Sequence, residues 1–197
     1  MNELLASRDP EDNRPVLIMP QDEGRFGRIS DPRACWAPAG IRPRVPKQIV
    51  REYLYVYAAV APALGKMTAL ILPYTNTNMM NIFLQEVSQE FAEFYVIMLM
   101  DRAGWHRAGG LNIPENIKFI GQPAHSPEVN PVEHLWDEIR EKEFHNTVFN
   151  SISELEGHLC EALVKIQNDP ARLRSLTNFP YLKCDSFLKQ PDPMVPI

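Results

Sequence analysis

Among the 25 aspartates and glutamates of the chain, three stand where carboxylates can do chemistry together. Asp22 follows the short apolar run Val16-Leu17-Ile18-Met19, Asp101 ends the run Tyr95 to Met100, and Glu133 falls in the first turn of a patterned helix. Carboxylates at the edge of a sheet and on an adjoining helix can converge on one point. Their repulsion at neutral pH then demands protons or divalent cations. Hard oxygen ligands favour Mg²⁺ or Mn²⁺ over zinc. Two such ions about 3.5–4 Å apart clamp the attacking and leaving oxygens of an in-line phosphoryl displacement. Water or a 3′-hydroxyl would be the nucleophile, and no covalent enzyme intermediate is needed. Spacing alone does not select these three, since an arbitrary acid is far more often a solvated surface group.

The neighbouring residues carry blander readings. Asn130 and Pro131 have the residue types of an N-cap and first helical position, and so shape the helix start that aims Glu133. His106, five residues after Asp101, can orient a phosphate or a carboxylate, or be an ordinary histidine. His134 and Glu138 are one helical turn apart, but without a third ligand they make no zinc site. Trp136 shares the apolar stripe of Leu135 and Ile139 and reads as core. Asp137 reads as a solvated helix face. Cys35, Cys160 and Cys184 are distant and odd in number, which disfavours a disulfide framework or a zinc knuckle.

The elements that must position the acids follow from periodicity. Residues 1–14 are polar and read as a flexible lead-in. Val16 to Met19 is a buried strand ending at Pro20-Gln21-Asp22-Glu23. Glycines and prolines then punctuate the chain to about residue 50, suiting short strands and turns. Tyr53 to Val60 is a strand, with Lys66 to Leu72 as its hairpin partner. Thr77 to Phe94 has helical spacing with Thr77 or Asn78 as cap. Tyr95 to Met100, apolar throughout, reads as a central strand. A short helix near Trp105 to Leu111, a strand at Asn116 to Ile120 and a loop from Gln122 to Asn130 follow. Pro131 to about Phe144 and Ser151 to Asn168 are helices, the second opened by the capping box Ser151-Ile152-Ser153-Glu154. Strands and helices alternating in this way predict an α/β layer, a mixed sheet flanked by helices. The expected organisation is a domain over 15–185 and a flexible proline-rich tail over 186–197.

The string Ser126-Pro127-Glu128-Val129-Asn130-Pro131-Val132-Glu133-His134-Leu135-Trp136 closely resembles the third catalytic block of DDE transposases from the mariner-related bacterial insertion-sequence branch. Asp101-Arg102-Ala103-Gly104-Trp105-His106 resembles the second block. Gln21-Asp22-Glu23, with Gly24-Arg25-Phe26-Gly27 and later Cys35-Trp36-Ala37-Pro38-Ala39-Gly40, resembles the first. The resemblance covers about residues 15–150 in the right order. It implies an RNase H-like fold and cut-and-paste DNA cleavage and strand transfer by two Mg²⁺ or Mn²⁺ ions. Asp22, Asp101 and Glu133 map onto the catalytic, metal-holding acids, and Glu23 is a neighbour. Thirty-one residues separate Asp101 from Glu133, slightly fewer than is usual in this branch. Gln122-Pro123-Ala124-His125 and Arg102 depart from the family's wording. Two further readings share the fold: a domesticated or decayed DNA- or protein-binding remnant, and a nuclease without strand transfer.

Composition frames these expectations. The 197 residues are 45% hydrophobic and 23% charged, with a mean hydropathy of −0.26, which is ordinary globular composition. The strongly apolar, charge-free stretch Tyr53 to Leu64 contains Pro62 and has 12 residues, too short to span a membrane. With no signal peptide at the start, the expected compartment is the cytoplasm. The net charge of −5 argues mildly against a general nucleic-acid binder. Its distribution is uneven: Arg25 to Arg51 holds seven basic residues and one acid, Asp31. Double-stranded DNA, as transposon ends and target, is therefore expected to meet Arg25, Arg28, Arg42, Arg44 and Lys47, with Arg102 and His106 nearer the acids. With Asp22 only 22 residues from the start, the helix-turn-helix segments that precede it in this family find no room. The chain is expected to be a catalytic half, truncated or the second product of a split reading frame. A homodimer and an upstream helix-turn-helix polypeptide are its candidate partners.

Overall fold

The structure, a computed structural model, describes residues 8–30, 32–101, 110–122 and 130–182. Five strands, β1 (Val16–Ile29), β2 (Ile49–Ala61), β3 (Lys66–Leu72), β4 (Tyr95–Met100) and β5 (Ile117–Gly121), form one sheet in the order β3-β2-β1-β4-β5. β1 is antiparallel to β2 and parallel to β4, so the sheet is mixed. The helices are α1 (Thr77–Glu90), α2 (Pro131–Lys142), α3 (Ile152–Gln167) and α4 (Pro170–Thr177). This is the α/β layer expected from the alternation of elements.

Strand parity divides the core into two sides. Leu17, Met19, Tyr57 and Ala59 face α1, which buries Met80, Phe83, Leu84 and Val87 against them. On the opposite face Phe26, Val56, Ala58 and Val60 pack under Leu135, Trp136 and Ile139 of α2 and the apolar stripe of α3. β4 is buried at every residue, as a central strand covered on both faces must be.

β1 departs from expectation. It does not stop at Pro20 but runs for 14 residues, which places Asp22 inside a strand. The reason is a change of neighbour. Val16 to Pro20 pair with β4, and pairing with β2 begins at Gln21. Proline lacks the N–H of a ladder bond, and Pro20 stands where β1 passes from one partner to the other.

Other boundaries moved for local reasons. Asn76, in extended backbone, caps α1 by accepting the Met79 N–H over 3.0 Å, in place of Thr77 or Asn78. The helix ends at Glu90, short of Phe94. Helix α4 was not foreseen, although Asp169 accepts the Arg172 N–H and Pro170 opens the first turn, the usual start signals. The Ser151 cap is present, but Glu154 receives the Asn150 N–H where a full capping box would receive that of Ser151. Residues 8–14, expected as a lead-in, are tied to one another by Arg8–Asp12 and Arg14–Asp12 pairs, with Arg8 stacked over the Tyr95 ring. The β2–β3 turn needs Gly65, whose φ is +62° and whose missing side chain would meet the Pro170 carbonyl at 2.9 Å. Most of the expected 105–111 helix, the 123–129 loop segment and the tail lie outside the described residues. Among the described residues no helix is long and apolar enough to cross a membrane.

Candidate active site

Asp22 lies on the α2 face of β1, opposite Ala58 of β2. Helix α2 is fastened beside it at two points. Asn130 accepts the Val132 N–H through Oδ1 and donates through Nδ2 to the carbonyl of Gln21, each over 3.2 Å. One side chain thus caps the helix and ties it to the residue preceding Asp22. One turn further on, Nε1 of Trp136 donates to Oδ2 of Asp22 over 2.8 Å.

Glu133 sits between these two fastenings, half-buried in the first turn of α2. A carboxylate there is favoured by the partial positive charge of the helix start. Its field reaches Asp22. Burial pushes the Asp22 carboxyl up to about 7, the Trp136 hydrogen bond opposes this, and Glu133 and Glu23 raise it further. Two negative charges beside a desolvated third acid are the electrostatic signature of a place that wants a cation. Glu23 takes the side-chain N–H of Gln21 at 2.6 Å, and strand alternation puts both on the other face of β1 from Asp22.

Asp101 directly follows β4. The β1–β4 register ends at Pro20↔Leu99, so Asp101 stands two residues past the last pair on one strand and Asp22 two residues past it on the other. Asp101 is exposed, however, and among the described residues no three His, Cys, Asp or Glu side chains gather closely enough to hold a metal ion. Glu133 is thus near enough to act on Asp22 electrostatically, while Asp101 stands at the end of the neighbouring strand. The donors are all carboxylate oxygens, and this set fits Mg²⁺ or Mn²⁺.

The basic residues separate into two kinds. Arg28 is committed: Nε and Nη2 donate to the carbonyls of Phe149 and Asn150 at 3.0 and 2.7 Å, and Nη1 pairs with Glu52 at 2.5 Å. Arg25 stacks over Tyr53, while Arg42, Arg44 and Lys47 are exposed on the irregular segment before β2. A cavity of about 230 Å³ opens between the end of β1 and the end of α2; among the described residues Arg25, Arg28, Arg33 and Arg140 line it together with His145, and no carboxylate does. Arg33 belongs to the basic stretch Arg25 to Arg51, whereas Arg140 in α2 and His145 just past it come from more than 100 residues along the chain and were not singled out in the sequence. Arg102 and His106 lie outside the described residues.

His134 lies 3.2 Å from the Leu176 carbonyl and packs on Phe179, and Glu138 pairs with Arg172 and Lys142. Asp137 is exposed. Trp136 is core, as expected, but its hydrogen bond to Asp22 was missed. A buried indole needs a partner for its N–H, and that was the available signal.

Comparison with known proteins agrees with this picture. Residues 17–156 match the family model described as DDE superfamily endonuclease. An uncharacterized protein, y4pE/y4sA of Sinorhizobium fredii (strain NBRC 101917 / NGR234), is 33% identical over 125 residues, covering 63% of this chain and 93% of that protein. Among solved structures, the fold is similar to that of a pre-cleavage Mos1 transpososome (TM-score 0.59, 16% identity, 89% of this chain and 59% of that one). It is similar also to the Mos1 mariner paired end complex with Mn (TM-score 0.58, 17% identity, 82% and 53%). The chain thus spans a little over half the length of those chains. The mixed sheet flanked by helices is RNase H-like, as these neighbours are.

Proposed function

The chain belongs to the DDE superfamily of endonucleases, and from that premise we propose that it is a transposase catalytic domain that cleaves DNA at transposon ends and transfers the strand. The observation that carries the reading is the convergence on Asp22. One helix, anchored by Asn130 to the strand that bears Asp22, brings Glu133 and a fixed donor to a half-buried carboxyl whose affinity for a proton is raised.

Asp22, Glu133 and Asp101 are the residues that would hold Mg²⁺ or Mn²⁺, in a two-ion arrangement. Bound there, the ions would supply Lewis-acid stabilisation to the attacking and leaving oxygens. The chain supplies the rest. Trp136 and Asn130 hold the Asp22 region in place before substrate arrives, so little reorganisation is left for the reaction. Arg25, Arg42, Arg44 and Lys47 hold the DNA backbone, Arg102 and His106 are further contacts to it, and the arginine-lined cavity extends that surface. Arg28 shapes it from below. The paired-end complexes of the Mos1 neighbours support a homodimer acting on two ends.

The test is a divalent-ion-dependent nicking assay on terminal-repeat DNA, run with Glu133→Ala in parallel. Nicking that requires Mg²⁺ or Mn²⁺ and vanishes in the variant is expected. Equal nicking by both proteins would defeat the mechanism. Joining of a labelled 3′-hydroxyl end to target DNA separates a transposase from a nuclease.

One observation favours a second reading, a remnant that keeps the fold and binds DNA without cutting it: Asp101 does not complete a three-acid group among the described residues. Salt-sensitive DNA binding with no nicking in either ion would select it.

A further inference from the structure

Trp136 is 1% exposed, so its N–H must be satisfied inside the protein. The acceptor is not a backbone carbonyl but Oδ2 of Asp22, at 2.8 Å. An indole N–H is a donor only. It cannot take up the proton that Asp22 releases, and it cannot compete with Asp22 for a cation. It engages one lone pair of the carboxylate and leaves others for a ligand.

The seat of the indole is set from β1 itself. Gly24 shares Asp22's face of the strand, two residues on. A Cβ at Gly24 would lie 2.8 and 2.9 Å from Cδ2 and Cε2 of Trp136, so the ring rests in space that only glycine leaves open. Phe26, two residues further, meets the ring edge-on, with centroids 5.9 Å apart and planes at 75°. Trp136 also follows Glu133 by three residues, on the same side of α2. One helical turn therefore delivers a carboxylate and a donor to Asp22 together.

We propose that Gly24 and Trp136 form a positioning unit for Asp22, in which the indole fixes the plane of the carboxylate for a divalent cation and the glycine fixes the indole. The role rests on the reading of Asp22 as a cation ligand. Trp136 is a positioning residue: it acts through Asp22 and touches neither substrate nor ion. Partners of this kind typically change metal affinity by about 10- to 100-fold when removed.

The test is Mn²⁺ binding, followed by electron paramagnetic resonance on the full chain, for the wild type, Trp136→Phe, Gly24→Ala and the double variant. Trp136→Phe keeps an aromatic ring in the slot and removes the N–H, and is expected to weaken Mn²⁺ binding about tenfold. Gly24→Ala is expected to weaken it in the same direction by displacing the indole. If the two residues act as one unit, the double variant binds no more weakly than the worse single variant. Phe26→Leu, which leaves the backbone alone, gives a second route to the same coupling should Gly24→Ala not fold. A readout free of any ion is the indole N–H resonance of Trp136, one of three tryptophans, identified by its loss in Trp136→Phe. It is expected to shift in Asp22→Asn and, in the wild type, on adding Mg²⁺. Wild-type Mn²⁺ affinity in a folded Trp136→Phe would overturn the positioning role alone, and so would losses that multiply in the double variant. A wild type that binds no Mn²⁺, with the resonance still moving in Asp22→Asn, would overturn the cation reading of Asp22 and this role with it.

Discussion

Nε1 of Trp136 donates to Oδ2 of Asp22 across 2.8 Å and 114 residues of sequence, joining the middle of the first strand to the second turn of α2. The bond lowers the proton affinity of a carboxyl that burial and two neighbouring acids raise to about 7. Burial wins, so in the absence of cations Asp22 is an acid poised near neutrality.

That balance predicts how stability varies with pH. The folded-state value lies above the ordinary 3.8, so the protonated carboxyl is the one the fold prefers. The associated stability is fully present below about pH 4 and is lost as pH rises through about 7. At about 1.4 kcal/mol per unit, the loss reaches up to about 4 kcal/mol. Urea unfolding of the metal-free protein at pH 5 and pH 8 is expected to show this decline, and Asp22→Asn to abolish most of it.

Asp12 behaves in the opposite sense. The hydrogen bond from Arg14 is the largest influence and, with help from Arg8, holds its carboxyl well below the usual range against the opposing cost of burial. Its contribution is present above the ordinary carboxylate value and is lost as pH falls through the depressed one. Asp12→Asn is therefore expected to loosen residues 8–14 at pH 7, read as faster proteolysis before Val16. The difference in Tm between it and the wild type should shrink as pH falls below 4.

Asn130 serves two partners, the Val132 N–H and the Gln21 carbonyl. Asn130→Ala should lose a cap, about 1 kcal/mol, and strand a buried carbonyl, about 1–3 kcal/mol. Asn130→Asp keeps the cap acceptor, loses the donor and adds a charge near Asp22 and Glu133. Urea titrations should therefore find both variants destabilised, with the deficit relative to wild type at the same pH growing above pH 5 only in the aspartate variant.

The two kinds of arginine make different predictions. Arg28→Ala removes donors to Phe149, Asn150 and Glu52 and should cost about 1–3 kcal/mol of stability, since the carbonyl of buried Phe149 loses a charged donor. Arg42→Ala and Arg44→Ala should leave Tm unchanged. Each that contacts a phosphate should instead reduce the slope of log K against log salt for duplex DNA by about 0.9. A normal slope in both would remove the irregular segment from the DNA surface.

Much of the site was legible along the chain because the information is local. The unbroken apolar run of β4 placed Asp101 at a strand end, and Asn130-Pro131 marked a helix start that put Glu133 in its first turn. Capping and periodicity involve residues a few positions apart, and side chains alone state them. The three acids and their surrounding words likewise pointed to one family, and the match over residues 17–156 agrees. What depended on distant partners stayed hidden. β1 continues past Pro20 because β2 takes over from β4 at Gln21, a fact about neighbouring strands that no local propensity contains. Arg28 became a tie and not a surface charge because residues 149 and 150 arrive beneath it. Trp136 looked like core and is core, but the tertiary structure decided that its one polar atom meets Asp22. Sequence alone determined which residues are chemically able and which elements carry them. Only packing decided which polar groups share a desolvated space, and there the strength of each interaction is set by what excludes water around it.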